Sequence, residues 1–225
     1  DLDLDAALVV ADDVAGLAVA GDVSDPDVCE QAVAAAEEQY GGLDAAFLNA
    51  GITGRFSAWD DLDVEAYRRT VGVNVDGVVF GVRAALPALR RRGRGSLVVT
   101  ASLSGLTPTP SNPVYALTKH AVVGLVRSMA LPLAQEGVSL NAVCPGFTET
   151  PLLDGVIDAI RDDRFPLLTA EEVADAAIGL AVAGEAGQCL VCQPGREPLP
   201  YAFRGVPGPR GPGQGTTPPT PVPAP

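Results

Sequence analysis

The chain has 225 residues, 47% of them apolar, and a formal net charge of −13, so it can bury one core of domain size and is too apolar for a disordered chain. The acidic balance argues against nucleic acid as a partner, because it repels phosphate. Its longest apolar runs are broken by Gly, Pro or charge short of the roughly 20 residues a membrane span needs, and residues 1–5 lack the basic region of a secretory signal, so a cytoplasmic protein without membrane association is expected.

Residues 17–21 form a short apolar run leading to Asp22, and a strand is predicted there. Ser24, with Asp27 three residues on, is predicted to cap a helix over 28–40 that Gly41-Gly42 stops. Residues 45–48 read as a buried strand ending in Asn49-Ala50-Gly51, and a long helical pattern covers about 64–92. Arg90-Arg91-Arg92 with Arg94 is the one basic cluster, read as a solvated helix end near the negative pole of the dipole. Residues 96–100 form a second strand pattern, followed by a loop over 101–113 rich in Ser, Thr and Pro. A helix then runs to about residue 135, and a third strand over 138–143 leads to Pro145-Gly146. Thr169 and Glu172 make a capping box for a helix to about 182, and 188–192 is a final strand. From residue 205 the composition turns to Pro and Gly, which cannot form a packed core, so a disordered tail over 205–225 is expected behind a single domain over 1–204.

Strands that are apolar throughout and alternate with helices imply an α/β fold, a doubly wound parallel sheet covered on both faces. Such sheets bind ligands at the carboxyl edge of the strands, where Asp22, Asn49, Ser102 and Pro145-Gly146 are expected to converge. Four cysteines occur; Cys189 and Cys192 have the spacing of half a zinc site, with no second pair to complete it, and the sole histidine, His120, reads as structural. No metal is expected, and the cysteines read as buried free thiols.

Tyr115 and Lys119 stand four residues apart at the start of an apolar run, which puts them one turn apart on one helix face. An ammonium beside a phenol lowers its pKa from about 10, making a group able to move a proton to or from an alcohol oxygen. Such a pair alone is common on helix surfaces.

Its surroundings carry more. Asp22-Val23, Asn49-Ala50-Gly51, Asn74, Ser102, Tyr115-x-x-x-Lys119 and Pro145-Gly146 follow in order, with Ser102 13 and Asn74 41 residues before Tyr115. On these residues the sequence resembles the short-chain dehydrogenase/reductase (SDR) family. The resemblance implies a Rossmann-like domain and an NAD(P)-dependent oxidoreductase that interconverts a secondary alcohol and a ketone. Tyr115 would be the general acid or base. Lys119 would lower its pKa and bind the nicotinamide ribose, Ser102 would hold the substrate oxygen, and Asn74 would hold a water in a proton relay. Asp22 and Val23 would meet the adenine, Asn49, Ala50 and Gly51 would pass beneath the cofactor, and Pro145, Gly146, Thr148 and Thr150 would contact the nicotinamide end. A homodimer or homotetramer is implied for the full-length parent. Leu152, Leu153, Val156, Ile157, Ile160 and Phe165 suggest an apolar lid over an apolar alcohol or ketone. The alternative is a catalytically impaired fragment or a non-enzymatic interaction protein that retains the fold.

The sequence departs from the family pattern at both ends. No Gly-rich phosphate turn precedes Asp22, and Asp1-Leu2-Asp3 resembles the end of the family's second strand. The expected fold is therefore N-terminally incomplete by roughly 30 to 40 residues, the size of a strand–helix–strand unit. Asp1 at the ribose position would select NAD over NADP, since a carboxylate repels the 2′-phosphate. Near the other end, Pro198 and Pro200 preclude a regular helix or central strand. Without a phosphate turn, titration calorimetry of this chain with NAD is expected to give binding weaker than micromolar; micromolar binding would overturn that expectation.

Overall fold

Four apolar segments pair as parallel strands in consecutive order: β1 (Ala45–Leu48), β2 (Gly95–Thr100), β3 (Val138–Pro145) and β4 (Cys189–Cys192). These coordinates are a computed structural model, which describes residues 1–54 and 58–205; the expected tail lies, from residue 206 on, outside them. Leu97 in β2 faces Ala46 of β1 on one side and Leu140 of β3 on the other, so apolar rows cross the sheet. All eight residues of β3 are buried, as befits a strand covered on both faces, and its two polar members are satisfied inside: Ser139 donates to the Ser96 hydroxyl and Asn141 Nδ2 to the Glu185 carbonyl. A two-residue β5 (Leu199–Pro200) adds antiparallel to β4, an edge position that tolerates Pro200.

The helices are α1 (Leu4–Asp13), α2 (Pro26–Tyr40), α3 (Val64–Val71), α4 (Gly77–Arg92), α5 (Pro113–Gln135), α6 (Ile157–Asp162) and α7 (Ala170–Ala183). Val78, Val82 and Leu89 of α4 and Val122 and Val126 of α5 pack with Leu97, Val99 and Leu140 on one face of the sheet. Ala176, Ala177 and Leu180 of α7 meet Val98 and Val143 on the other. The three layers of the doubly wound fold follow.

Three local readings change. The run over 17–21 forms no strand, because β1 pairs only with β2 among the described residues and leaves the run no ladder to join. It keeps one rung of parallel pairing with the chain start: Asp1 N donates to the Val19 carbonyl at 3.0 Å and Gly21 N to the Asp1 carbonyl at 2.9 Å. Helix α2 begins two residues before the predicted start and is capped by Asp25, whose side chain accepts from the Asp27 amide. Ser24 instead donates both its amide and its hydroxyl to Asp22. The long helix over 64–92 is interrupted by a wide π turn, Gly72–Asp76. This helix is long and apolar enough to cross a bilayer, but 56% of its most apolar window is buried inside the domain. The capping box of α7 is present as predicted. The arginines at the end of α4 are exposed and paired, Arg90 with Glu136, Arg91 with Glu37 and Arg92 with Asp44.

Leu140 is fully buried in β3, whereas Val182 on α7 is 78% exposed. Leu140→Ala is expected to lower the unfolding free energy by about 2–5 kcal/mol, and Val182→Ala by no more than about 0.5 kcal/mol, both read from urea titrations at unchanged m-value.

Candidate active site

Helix α5 starts at Asn112-Pro113, an N-cap followed by proline at N1. Tyr115 and Lys119 lie in its first two turns. Lys119 is 3% exposed and donates Nζ–H to the Thr100 carbonyl, at the end of β2, at 2.7 Å. Burial depresses its pKa to about 8, opposed weakly by the nearby Cys144 thiol. The ammonium stands 5.6 Å from the centroid of the half-buried Tyr115 ring. The pKa of Tyr115 is raised, not lowered as the pairing with Lys119 predicts: burial of the phenolate outweighs the opposing hydrogen bond with Ser102.

Ser102 follows β2 by two residues and caps a short 3-10 turn, Leu103–Gly105, accepting the Ser104 amide at 3.1 Å. The turn lies flat on α5. A Cβ at Gly105 would come within 2.6 Å of the Lys119 carbonyl oxygen, so only glycine permits this approach. The serine hydroxyl is thereby held beside the phenol.

Asn74 is fully buried in the π turn. Its Oδ1 accepts the Ile52 amide at 2.8 Å, and its Nδ2 donates to the Ile52 carbonyl at 2.8 Å and to Thr118 Oγ1 at 3.1 Å. A Cβ at Gly51 would lie 3.4 Å from Asn74 Oδ1 and 3.5 Å from Lys119 Nζ, so the three meet at one point. Thr100 donates its hydroxyl to Asn49 Oδ1 at 2.8 Å, joining the ends of β1 and β2.

At the other end, Asp22 accepts the amide and hydroxyl of Ser24 at 2.9 and 2.8 Å. These bonds hold its carboxyl below the usual range, and Arg69 adds to the effect. Val23 packs on α4, where a Cβ at Gly77 would come within 2.7 Å of it. On the third side, Gly146 N donates to the Cys192 carbonyl and Thr148 pairs with Leu168. Phe147 meets Phe165 edge to face at 5.5 Å.

Every residue expected at the site except Asn74 lines one cleft of about 1470 Å³ at the carboxyl edge of the sheet. Asn74 lies behind its wall. Of the expected lid, Leu152, Leu153, Val156 and Phe165 line the cleft and Ile157 and Ile160 do not. Sequence reading missed Thr100, Asn112 and Thr118. The Asn-Pro cap signature marks Asn112, but nothing local marks Thr100, which acts on Lys119 through its backbone. All four cysteines are free, with Cys29 half-buried and the others buried. Cys144 is pushed up by its hydrogen bond with Cys189 and by burial.

The donor set fits the nicotinamide end of a dinucleotide. One of the three Lys119 donors is taken by Thr100, leaving two for a ribose diol, and Asp1 and Asp22 bring carboxylates to the far end.

Residues 6–160 match the family described as short chain dehydrogenase. The chain is 39% identical over 175 residues to 2-(R)-hydroxypropyl-CoM dehydrogenase of Xanthobacter autotrophicus, covering 73% of this chain and 70% of that protein. It is 35% identical over 158 residues to cyclohexanol dehydrogenase of an Acinetobacter species, covering 68% of this chain and 63% of that protein. A solved gluconate 5-dehydrogenase from Burkholderia cenocepacia, in complex with NADP and tartrate, superposes with a TM-score of 0.77 at 28% identity, covering 87% of this chain and 82% of that one.

The depressed pKa of Lys119 makes stability depend on pH. The unfolded chain binds the proton up to about 10.5 and the folded chain only to about 8, so the cost of burying the charge is full below pH 8 and fades as pH rises to 10.5. Wild-type stability is expected to gain about 3 kcal/mol from this group across that window. Denaturant titrations of Lys119→Met at several pH values should lack that gain.

Proposed function

This chain belongs to the short-chain dehydrogenase family, and on that premise we propose that it interconverts a secondary alcohol and a ketone with a nicotinamide cofactor. The observation that carries the reading is that Ser102, Tyr115 and Lys119 line one cleft, with Ser102 near enough to the phenol to lower its pKa. When bound, the nicotinamide supplies or accepts the hydride.

The chain's own residues hold the oxygen and move the proton. Ser102 donates a hydrogen bond to the substrate oxygen and keeps it beside the phenol. In ketone reduction Tyr115 gives its proton to that oxygen; in alcohol oxidation its phenolate takes the proton. Lys119, half charged near pH 8, stabilises the phenolate once ligands replace water around it and offers its two remaining donors to ribose hydroxyls. Asn74, through the free lone pair of Oδ1, holds a water that continues the proton path.

The cofactor is proposed to be NAD. Asp1 and Asp22 in the cleft disfavour an added phosphate; NADP, as in the complex of the Burkholderia enzyme, is the alternative. Leu152, Leu153, Val156 and Phe165 support an apolar alcohol or ketone as substrate. A homodimer or homotetramer is proposed for the full-length parent, as the family resemblance implies.

The test is steady-state turnover at millimolar NAD and NADP with a panel of secondary alcohols, following reduced cofactor. Tyr115→Phe is expected to lower kcat by about 10²–10⁴-fold. Retained turnover in that variant would sink the assigned role.

A further inference from the structure

Asn112 caps α5, and the amide it caps is that of Tyr115 itself: Oδ1 accepts the Tyr115 N–H at 3.0 Å. Pro113, at N1, has no N–H to offer. The same side chain donates Nδ2–H to the Thr53 carbonyl, 59 residues away in sequence, at 2.9 Å. The preceding residue, Ile52, is held at both its amide and its carbonyl by Asn74, which also bonds Thr118 one residue before Lys119. Residues 52–53 are thus tied to α5 twice, once at Asn112 and once through Thr118.

The loop has little slack on its other side. Gly54 has φ +67°, and a Cβ there would come within 2.2 Å of Thr70 Oγ1. Among good N-cap residues only asparagine carries an acceptor and a donor on separate atoms. Aspartate keeps the cap but has no donor for a carbonyl.

We propose that Asn112 is a positioning residue that fixes the turn carrying Tyr115 against the 49–53 loop, and through it sets the phenol beside the Ser102 hydroxyl. The inference rests on the acid–base role of Tyr115. Asn112 is not in the reaction itself; it acts through the tyrosine.

Two variants separate its two bonds: Asn112→Ala removes both, and Asn112→Asp keeps the cap and removes the donor to Thr53. Three measurements are made on the full chain. They are amide hydrogen exchange, spectroscopic titration of Tyr115 against a Tyr115→Phe background, and kcat with KM for NAD. In Asn112→Ala, exchange at the Tyr115 amide is expected to rise about tenfold. The Tyr115 titration moves away from its wild-type position as the phenol leaves its packed place beside Ser102, and kcat falls on the order of 10- to 100-fold. In Asn112→Asp, the Tyr115 amide stays protected, exchange rises at 52–54, and the titration and kcat shift in the same direction as in Asn112→Ala. An unchanged Tyr115 titration in both variants would overturn the proposal. If Asn112→Ala does not fold, Asn112→Asp decides. If the wild-type chain oxidises no alcohol, it is the reading of the reaction that fails, and exchange and titration, which need no substrate, still decide the positioning role.

Discussion

A cation held out of water at the end of a parallel sheet is the constraint on which the rest of the site depends. The Lys119 ammonium is nearly inaccessible, and its acceptor is the last carbonyl of β2. An unpaired buried charge is costly, and the domain relieves that cost in two ways: the carbonyl bond at 2.7 Å, and a pKa low enough for the neutral amine to be reached near pH 8. This arrangement requires α5 to lie tightly against the strand ends. Gly105 beneath the Lys119 carbonyl and Gly51 beside the ammonium leave room for that approach. The same closeness raises Tyr115, so the bare site holds a neutral phenol. In this state the Ser102 bond lowers it, but less than burial raises it.

The helix over 64–92 solves a related problem. An asparagine in a regular helix turns to water or to its own backbone. The π turn at Gly72–Asp76 gives Asn74 a different direction, and its amide becomes fully buried with three partners from two other segments. Gly77 and Gly81 then let Val23 and Leu48 come within 2.7 and 2.6 Å of where side chains would begin. One helix therefore fixes the 22–24 segment, the end of β1 and the 52–53 loop together.

Much of this was legible without coordinates. The short, largely apolar runs 96–100 and 138–143, each followed by a loop, read as strands, while the burial of Ser96, Ser139 and Asn141 within them shows only in the packed sheet. The capping box at Thr169 and the glycine stop after Tyr40 marked their helix ends. The ordered set from Asp22 to Gly146 falls, Asn74 apart, on one cleft. What escaped is non-local. The run over 17–21 has strand composition but makes only one rung, with Asp1, among the described residues, and composition cannot report which pairing a segment finds. The choice between Ser24 and Asp25 as cap turned on whether Ser24 was engaged by Asp22, a matter of loop geometry. Thr100 is invisible as a ligand of Lys119 because it acts through a backbone carbonyl that every residue possesses.

By itself, the sequence determined the α/β class, the carboxyl-edge location of the polar groups and the one-turn spacing of Tyr115 and Lys119, because periodicity and spacing are local properties of the chain. Tertiary structure alone decided their chemistry. Whether Lys119 is charged, whether the phenol is raised or lowered, and which backbone groups the buried amides grip all depend on how much water the packed layers exclude. That exclusion is set jointly by segments as far apart as Thr53 and Asn112, and no stretch of sequence contains it.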